Sequence, residues 1–266
     1  MPVLLVIPAR YASSRYPGKP LVELVGARGE ARSLVQRSWE AAISVPGVDR
    51  VVVATDDDRI AAAAVGFGAE VAMTPDTCRN GTERCAVVSR DFGGAYDIVV
   101  NLQGDAPLTP PWFVSALIEA MQADRERMMA TPVLRCDAEA LAGFLEDRRQ
   151  GRVGATTAVF DRDGRALYFS KEVLPYTGRP LGPGETIPVF HHVGVYAYRS
   201  AALAPYPDWP QGPLETWEGL EQLRFMENGV GVHCVEVEAR GRAFWELNNP
   251  TDVPRIEAIL RQLDLP

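Results

Sequence analysis

Apolar residues along this chain fall into short runs separated by polar stretches rich in Gly and Pro, and the spacing of the runs changes along its length. Residues 3–8 (VLLVIP) are apolar without a break, which predicts a short strand buried on both faces. Residues 33–45 (SLVQRSWEAAISV) carry helical periodicity, with Ser33 placed to cap. A strand over 48–55 follows, then a helix over 56–68 that opens on acidic residues and ends at glycine. Strands over 70–74 and 96–103 flank a helix over 81–93, and a proline-led helix spans 110–123. This alternation over roughly the first 125 residues predicts an α/β fold with a single doubly wound, mostly parallel sheet. The second half reads differently. It has a hairpin with Asp163-Gly164 at its turn, a proline-rich stretch over 175–188, a helix over 214–229 ending at Gly229, and a last helix over 251–263. Trp217, Phe225 and Met226 fall near helical spacing and read as core. With no linker or repeat in view, the second half reads as a β-rich elaboration of the same sheet.

Composition narrows the picture. A chain of 266 residues with 47% hydrophobic content can bury a sizeable core. Its net charge of −8 argues against a nucleic-acid partner, because neutralising a phosphate backbone needs a basic surface. The opening MPVLLVIPAR lacks the charged start and length of a signal peptide, and no stretch approaches a membrane span. Cys78, Cys85, Cys136 and Cys234 are scattered, so the expectation is a cytoplasmic protein with free thiols. Only two lysines occur, Lys19 and Lys171, among 27 basic residues. A GC-rich coding bias explains the excess of Arg and makes the two remaining lysines notable.

The strongest chemical signal is IPARYASSRYPGKPL (7–21). A buried strand feeds a loop with Arg10, Arg15 and Lys19 set among Ala12, Ser13, Ser14 and Gly18. Small residues let backbone N–H groups approach a triphosphate, and the cations neutralise it. A solvated basic loop is the alternative, but three cations in ten residues stand out in so acidic a chain. The Walker and Rossmann glycine patterns are both absent.

This loop resembles the signature of the CMP-KDO synthetases (3-deoxy-manno-octulosonate cytidylyltransferases). The resemblance continues through VVVATDDDRI (51–60), NGTER (80–84), VNLQGDAPL (100–108), GRALYFSKEVLPY (164–176), HHVGVYAY (191–198), LEQLRFMENG (220–229) and NNPTDV (248–253). It implies a nucleotide-diphospho-sugar transferase-like domain over 1–266, with a nucleotide-binding half to about 125 and an acceptor-binding, dimerising half beyond. The implied reaction moves CMP from CTP to a small anionic acceptor, with Mg²⁺ as cofactor and a homodimer as the working form. LEQLR and the apolar residues near 193–206 are the candidate dimer contacts.

Carried over residue by residue, the resemblance gives nucleotide binding to Pro8, Ala9, Arg10, Ser13, Ser14, Arg15, Lys19, Gly81, Thr82, Arg84 and Gln103. Lys19, Arg15 and Asp105 become the catalytic set, with Asp105 the natural metal ligand. Lys171, His192, Tyr196, Glu221 and Gln222 match the acceptor pocket. For His192 the plainer reading is a satisfied histidine under the sheet; for Glu221 and Gln222 it is a solvated helix face.

The sequence departs from the family at several places. Ala106 replaces a usual Glu, and Asn248 replaces the Asp expected as second metal ligand. Glu246 would share a face with residue 248 in an extended segment and is the substitute ligand. Lys171 replaces an Arg, and an Asn-Pro-Asn-rich segment is missing around 146–156. These changes tilt the expected acceptor slightly toward a compact phosphonate such as phosphonoformate, with KDO as the alternative. A non-catalytic nucleotide-binding regulator is the reading from another class, motivated by Asn248.

Overall fold

The computed structural model describes the 266 residues except 13–15, 153–154, 180–183, 243–245 and 248. The first half runs β1 (Val3–Ala9), β2 (Glu23–Val25), β3 (Ala31–Ser33), α1 (Leu34–Ile43), β4 (Arg50–Thr55), α2 (Asp58–Gly66), β5 (Glu70–Met73), α3 (Gly81–Asp91), β6 (Ile98–Leu102) and α4 (Pro111–Ala123). Then come β7 (Met129–Arg135), α5 (Ala138–Arg149), β8 (Thr157–Phe160), β9 (Ala166–Ser170), β10 (Phe190–His192), β11 (Val195–Arg199) and α6 (Ser200–Leu203). The chain closes with α7 (Pro213–Glu218), α8 (Leu223–Glu227), β12 (Val232–Glu236) and α9 (Val253–Gln262).

One ten-stranded sheet runs through both halves in the order β5-β4-β1-β6-β11-β7-β10-β8-β9, with β12 added on β7. From β5 to β6 every pairing is parallel. All seven residues of β1 are buried, as the unbroken apolar run requires. Its odd positions, Val3, Leu5, Ile7 and Ala9, pack with residues of α1, α2 and α4. Leu4 and Val6 join the opposite layer with Cys85, Ala86 and Val88 of α3. The caps follow the sequence: Ser33 accepts the Gln36 N–H at the start of α1, and Asp57 accepts from Arg59 and Ile60 at the start of α2.

Beyond β6 the pairings turn antiparallel, apart from β12 on β7. β10 and β11 form one bent strand, interrupted at Val193–Gly194 where the Val195 N–H reaches back to the Val193 carbonyl at 2.7 Å. The predicted hairpin is β8–β9, turned through Gly164 at φ +81°. Away from the sheet, α9 packs with Leu24, Leu34, Leu108 and Leu247. The four cysteines are buried and free, and no helix among the described residues is long and apolar enough to cross a membrane.

Three expectations need correction. The helix over 214–229 is two short helices, because Gly219 takes a left-handed conformation (φ +62°) and ends α7. Trp217 is 89% exposed while Phe225 is fully buried, so the supposed apolar stripe does not form. The suggested dimer contacts face inward: Leu223, Arg224, Val193, Val195 and Leu203 are all fully buried in this chain.

Candidate active site

The carboxyl ends of β1 and β6 open onto a cleft of about 360 Å³, where ligands bind in open α/β sheets. Pro8, Ala9 and Arg10 line it from the end of β1. The loop after β1 is tied at its base by the Gly18 N–H donating to the Tyr11 carbonyl at 3.0 Å. Gly18 sits at φ +72° against the Tyr11 ring, and this delivers Lys19 into the cleft. Ser13, Ser14 and Arg15 lie outside the described residues.

Two glycines let separate loops close on β1. A Cβ at Gly104 would sit 2.8 Å from the Pro8 carbonyl oxygen. A Cβ at Gly81 would sit 3.1–3.2 Å from Pro8, Asn101 and Gln103. The NG and QGD segments therefore meet at the same strand end, bringing Gly81, Gln103 and Asp105 to one wall. Asp105 accepts from Lys19 Nζ at 2.7 Å. Its backbone is also fixed, since the Leu247 N–H donates to its carbonyl at 2.9 Å. Glu246 comes to the same neighbourhood, with Oε1 3.4 Å from a Cβ built on Gly194; Asn248 lies outside the described residues.

Arg84 reaches the cleft from α3, but its guanidinium is buried on Thr74 Oγ1 and on Asp56 Oδ2, the latter at 2.7 Å. Thr82 is buried against the Tyr198 hydroxyl at 2.9 Å, and both its N–H and its hydroxyl act on Glu221. That N–H donates to Glu221 Oε2 at 3.2 Å, and Gln103 Nε2 donates to Glu221 Oε1 at 2.9 Å. Burial pushes the Glu221 carboxyl above its usual range, and these donors pull back against that shift.

Glu221 and Gln222 line the opposite wall from the turn between α7 and α8, with Tyr196 on β11 behind them. Tyr196 donates to Gln222 Oε1 at 3.1 Å. Gln222 Nε2 is buried with no hydrogen-bond partner among the described residues and could donate to a ligand acceptor atom. His192 does not line the cleft. It lies behind Tyr196, packed between that ring and Phe169, with Nε2 2.9 Å from Thr131 Oγ1. Thr131 spends its only proton on a backbone carbonyl, Val195 at 2.8 Å, so the proton of the imidazole belongs on Nε2. Burial, with His191 adding to it, drives His192 down to about 3, which makes it a neutral packing group. Lys171, at the end of β9, brings its ammonium to Gly219 at the cleft margin.

Several contributors were invisible to sequence reasoning. Arg79 lines the cleft just ahead of α3, beside Asn80 of the NGTER motif. Arg224 is fully buried, paired to Glu215 at 2.6 Å and Glu83 at 3.0 Å and stacked on Tyr206 at 4.2 Å. Burial alone would raise the Glu83 carboxyl, but donors from Arg79 and Arg224 hold it below its usual range. The network joins α3, which brings Gly81 and Arg84 to the cleft, to α7 and α8, whose connecting turn brings Glu221 and Gln222. A buried Arg in a charged motif signals such a link, though its partners cannot be read from spacing.

A cation-lined cleft at the ends of parallel strands, fed by a loop from the first strand and holding the Asp105 carboxylate against Lys19, fits a nucleotidyltransferase. The chain matches the family described as cytidylyltransferase over residues 4–236. It is 43% identical over 260 residues to the 3-deoxy-manno-octulosonate cytidylyltransferase of Maricaulis maris, spanning 98% of this chain and 97% of that one. It is 36% identical to the mitochondrial enzyme of the same description from Arabidopsis thaliana, covering 99% of this chain and 84% of that one. A solved CMP:2-keto-3-deoxy-manno-octonic acid synthetase complexed with CTP superposes with a TM-score of 0.84 at 34% identity, over 99% of this chain and 100% of that one. The chain belongs to the cytidylyltransferases and, among them, to the CMP-KDO synthetase family. It is a CTP-dependent cytidylyltransferase.

Proposed function

We propose that the acceptor is KDO and that the product is CMP-KDO. The observation that carries this reading is end-to-end similarity to enzymes described as KDO cytidylyltransferases. The acceptor wall supports it. Beyond Lys171, that wall offers a phenol, a partly free amide and the Glu221 carboxylate. Such groups suit a polyhydroxylated acceptor with a single carboxylate, whereas a phosphonate dianion would meet the charge of Glu221. The similarity therefore favours KDO over the phosphonate that the departures at 106, 171 and 248 suggested. Ala106 is 1% exposed, so that departure lies in the packing of the wall.

In the proposed reaction the acceptor hydroxyl oxygen forms a bond to the α-phosphorus of CTP while the bond to the bridging oxygen breaks. Pyrophosphate leaves with the bond electrons, and the hydroxyl proton passes to solvent. Arg10 and Lys19 neutralise the triphosphate, and the N-terminus of α3 closes over the nucleotide. Mg²⁺ fits the donor set: it takes one or two carboxylates and completes its octahedron with phosphate and water. Asp105 would hold it, with Glu246 the second candidate. Among the described residues no cluster of three or more His, Cys, Asp or Glu side chains occurs. When bound, the ion screens charge on the phosphates.

A homodimer is proposed as the working form. The strongly exposed aromatic residues Trp217 and Tyr176 are better placed for a partner than the buried residues first suggested.

The test is pyrophosphate release from CTP and Mg²⁺ with KDO, phosphonoformate or sialic-type acids. KDO should be turned over at least tenfold faster than the others. Release with phosphonoformate and none with KDO would overturn the acceptor reading. No release with any acceptor would favour a nucleotide-binding regulator.

A further inference from the structure

The stretch LETWEGLEQLRF has the composition of one continuous helix, yet the helix ends at Glu218 and breaks at Gly219. Glu218, just before the break, accepts three hydrogen bonds from the end of β9. Ser170 Oγ donates at 2.7 Å, the Lys171 N–H at 2.8 Å and the Tyr168 hydroxyl at 3.3 Å. The last β8–β9 register pair is Thr157–Ser170, so the Lys171 N–H lies past the ladder and takes its partner from α7.

The same segment is held from its other side. Thr157 Oγ1 donates to the Glu172 carbonyl at 2.7 Å and accepts the Leu174 N–H at 3.2 Å, while the Glu172 N–H donates to Ser170 Oγ at 3.0 Å. The backbone at Lys171 is thus clamped between Thr157 and Glu218. Its side chain then runs over Gly219. A Cβ there would lie 3.0 Å from Lys171 Nζ, and the backbone already sits at φ +62°, where a side chain is strained. Gly219 also lines the cleft beside Leu220 and Glu221.

We propose that Glu218 and Gly219 form a seat that positions Lys171 at the acceptor end of the cleft. Glu218 fixes the Lys171 backbone, and Gly219 leaves the space its ammonium occupies. Lysine is long and loses much rotamer freedom when it binds. A seat that fixes its root and walls its path removes part of that cost before the acceptor arrives. Glu218 acts through Lys171 and does not touch the acceptor. The inference rests on the proposal that Lys171 contacts the acceptor.

Two readouts test it. With CTP saturating and KDO as acceptor, Glu218→Ala should raise the KM for KDO about tenfold while kcat and the KM for CTP stay within about twofold. Alanine removes both oxygens, so the Lys171 N–H loses its acceptor, whereas a glutamine could still offer its carbonyl oxygen there. In a Lys171→Ala background the same change should add nothing, since both act through one side chain. The second readout needs no acceptor. Selective ¹⁵N-lysine labelling gives two backbone amide signals, because the chain has only Lys19 and Lys171. Glu218→Ala should shift the Lys171 signal and speed its hydrogen exchange tenfold or more, leaving Lys19 unchanged. Gly219→Ala should raise the KM for KDO in the same way; if it fails to fold, Glu218→Ala still decides.

An unchanged Lys171 amide in Glu218→Ala, or additive effects in the double variant, would overturn the seat. If Lys171→Ala leaves the KM for KDO unchanged, Lys171 loses its acceptor role and the seat falls with it, while CMP transfer itself stands. If Lys171→Ala raises that KM and Glu218→Ala does not, the seat alone is lost.

Discussion

The two walls of the cleft are built on opposite principles. The wall proposed for the nucleotide gathers the ends of neighbouring parallel strands, where short contiguous motifs deliver backbone N–H groups, glycines and cations to one point. The wall proposed for the acceptor gathers a kinked antiparallel strand, a broken helix and a hairpin end, joined by buried side chains. One wall is held by backbone geometry, the other by a polar network. Substitutions in the first should therefore change chemistry, and those in the second should change stability or acceptor affinity.

The largest effect is expected on the nucleotide wall. Asp105→Ala should lower kcat by about 10³-fold, on the order of 4 kcal/mol of transition-state stabilisation. CTP should still bind measurably, because Arg10 and Lys19 remain. Single-turnover assays beside CTP titration would check this, and near-normal turnover would remove Asp105 from the mechanism.

On the acceptor side the largest effect is structural. Arg224→Met would leave Glu215 and Glu83 as buried charges without their shared partner, a loss of about 3–5 kcal/mol. Urea unfolding at neutral pH should show it. A loss under 1 kcal/mol would mean that the network is dispensable and that the two walls differ less than their construction suggests.

What the sequence made legible follows the same division. The strand and helix order of the first half could be read because unbroken apolar runs and cap residues such as Ser33 and Asp57 are local signals. Lys19, Asp105, Gly81 and Gln103 could be placed because each motif lies at the end of a predicted element. The seat at Glu218, the burial of Arg224 and the break at Gly219 could not, because each is decided by partners from 9 to 141 residues away. Helical spacing also assigned Trp217 to the core, where the left-handed turn at Gly219 ended the helix instead. His192 shows a similar limit: a histidine in a conserved-looking motif reads as functional until its surroundings show it to be neutral and packed.

His192 gives the next prediction. Its ordinary value of 6.5 falls to about 3 in the folded chain, so between these values the unfolded state binds the extra proton. The stability it contributes is present above pH 6.5 and is lost as the pH falls toward 3. Wild type should lose roughly 2–3 kcal/mol through this group between pH 7 and pH 4.5, and His192→Phe should lose correspondingly less over that interval. Urea midpoints at the two pH values measure the difference. An equal decline in both proteins would mean that His192 is solvated or already charged.

The smallest expected effect bears most directly on the acceptor. If the acceptor is KDO, position 171 meets a single carboxylate. An ammonium and a guanidinium both answer one negative charge, the second with a bidentate fork. The space over Gly219 has no Cβ to obstruct the larger head group. Lys171→Arg should then change the KM for KDO by less than about threefold, near 0.6 kcal/mol, while Lys171→Ala raises it about tenfold. A compact phosphonate would respond differently, since a small tetrahedral dianion is better followed by a mobile point charge than by a fixed fork, and Lys171→Arg should then cost tenfold or more. Comparing the Arg and Ala variants on KDO therefore asks whether the acceptor wall recognises charge alone or the shape of that charge. A tenfold penalty for Arg with KDO would show that the seat is built for an ammonium whatever the acceptor, and the similarity of the two head groups would cease to explain why a lysine is tolerated there.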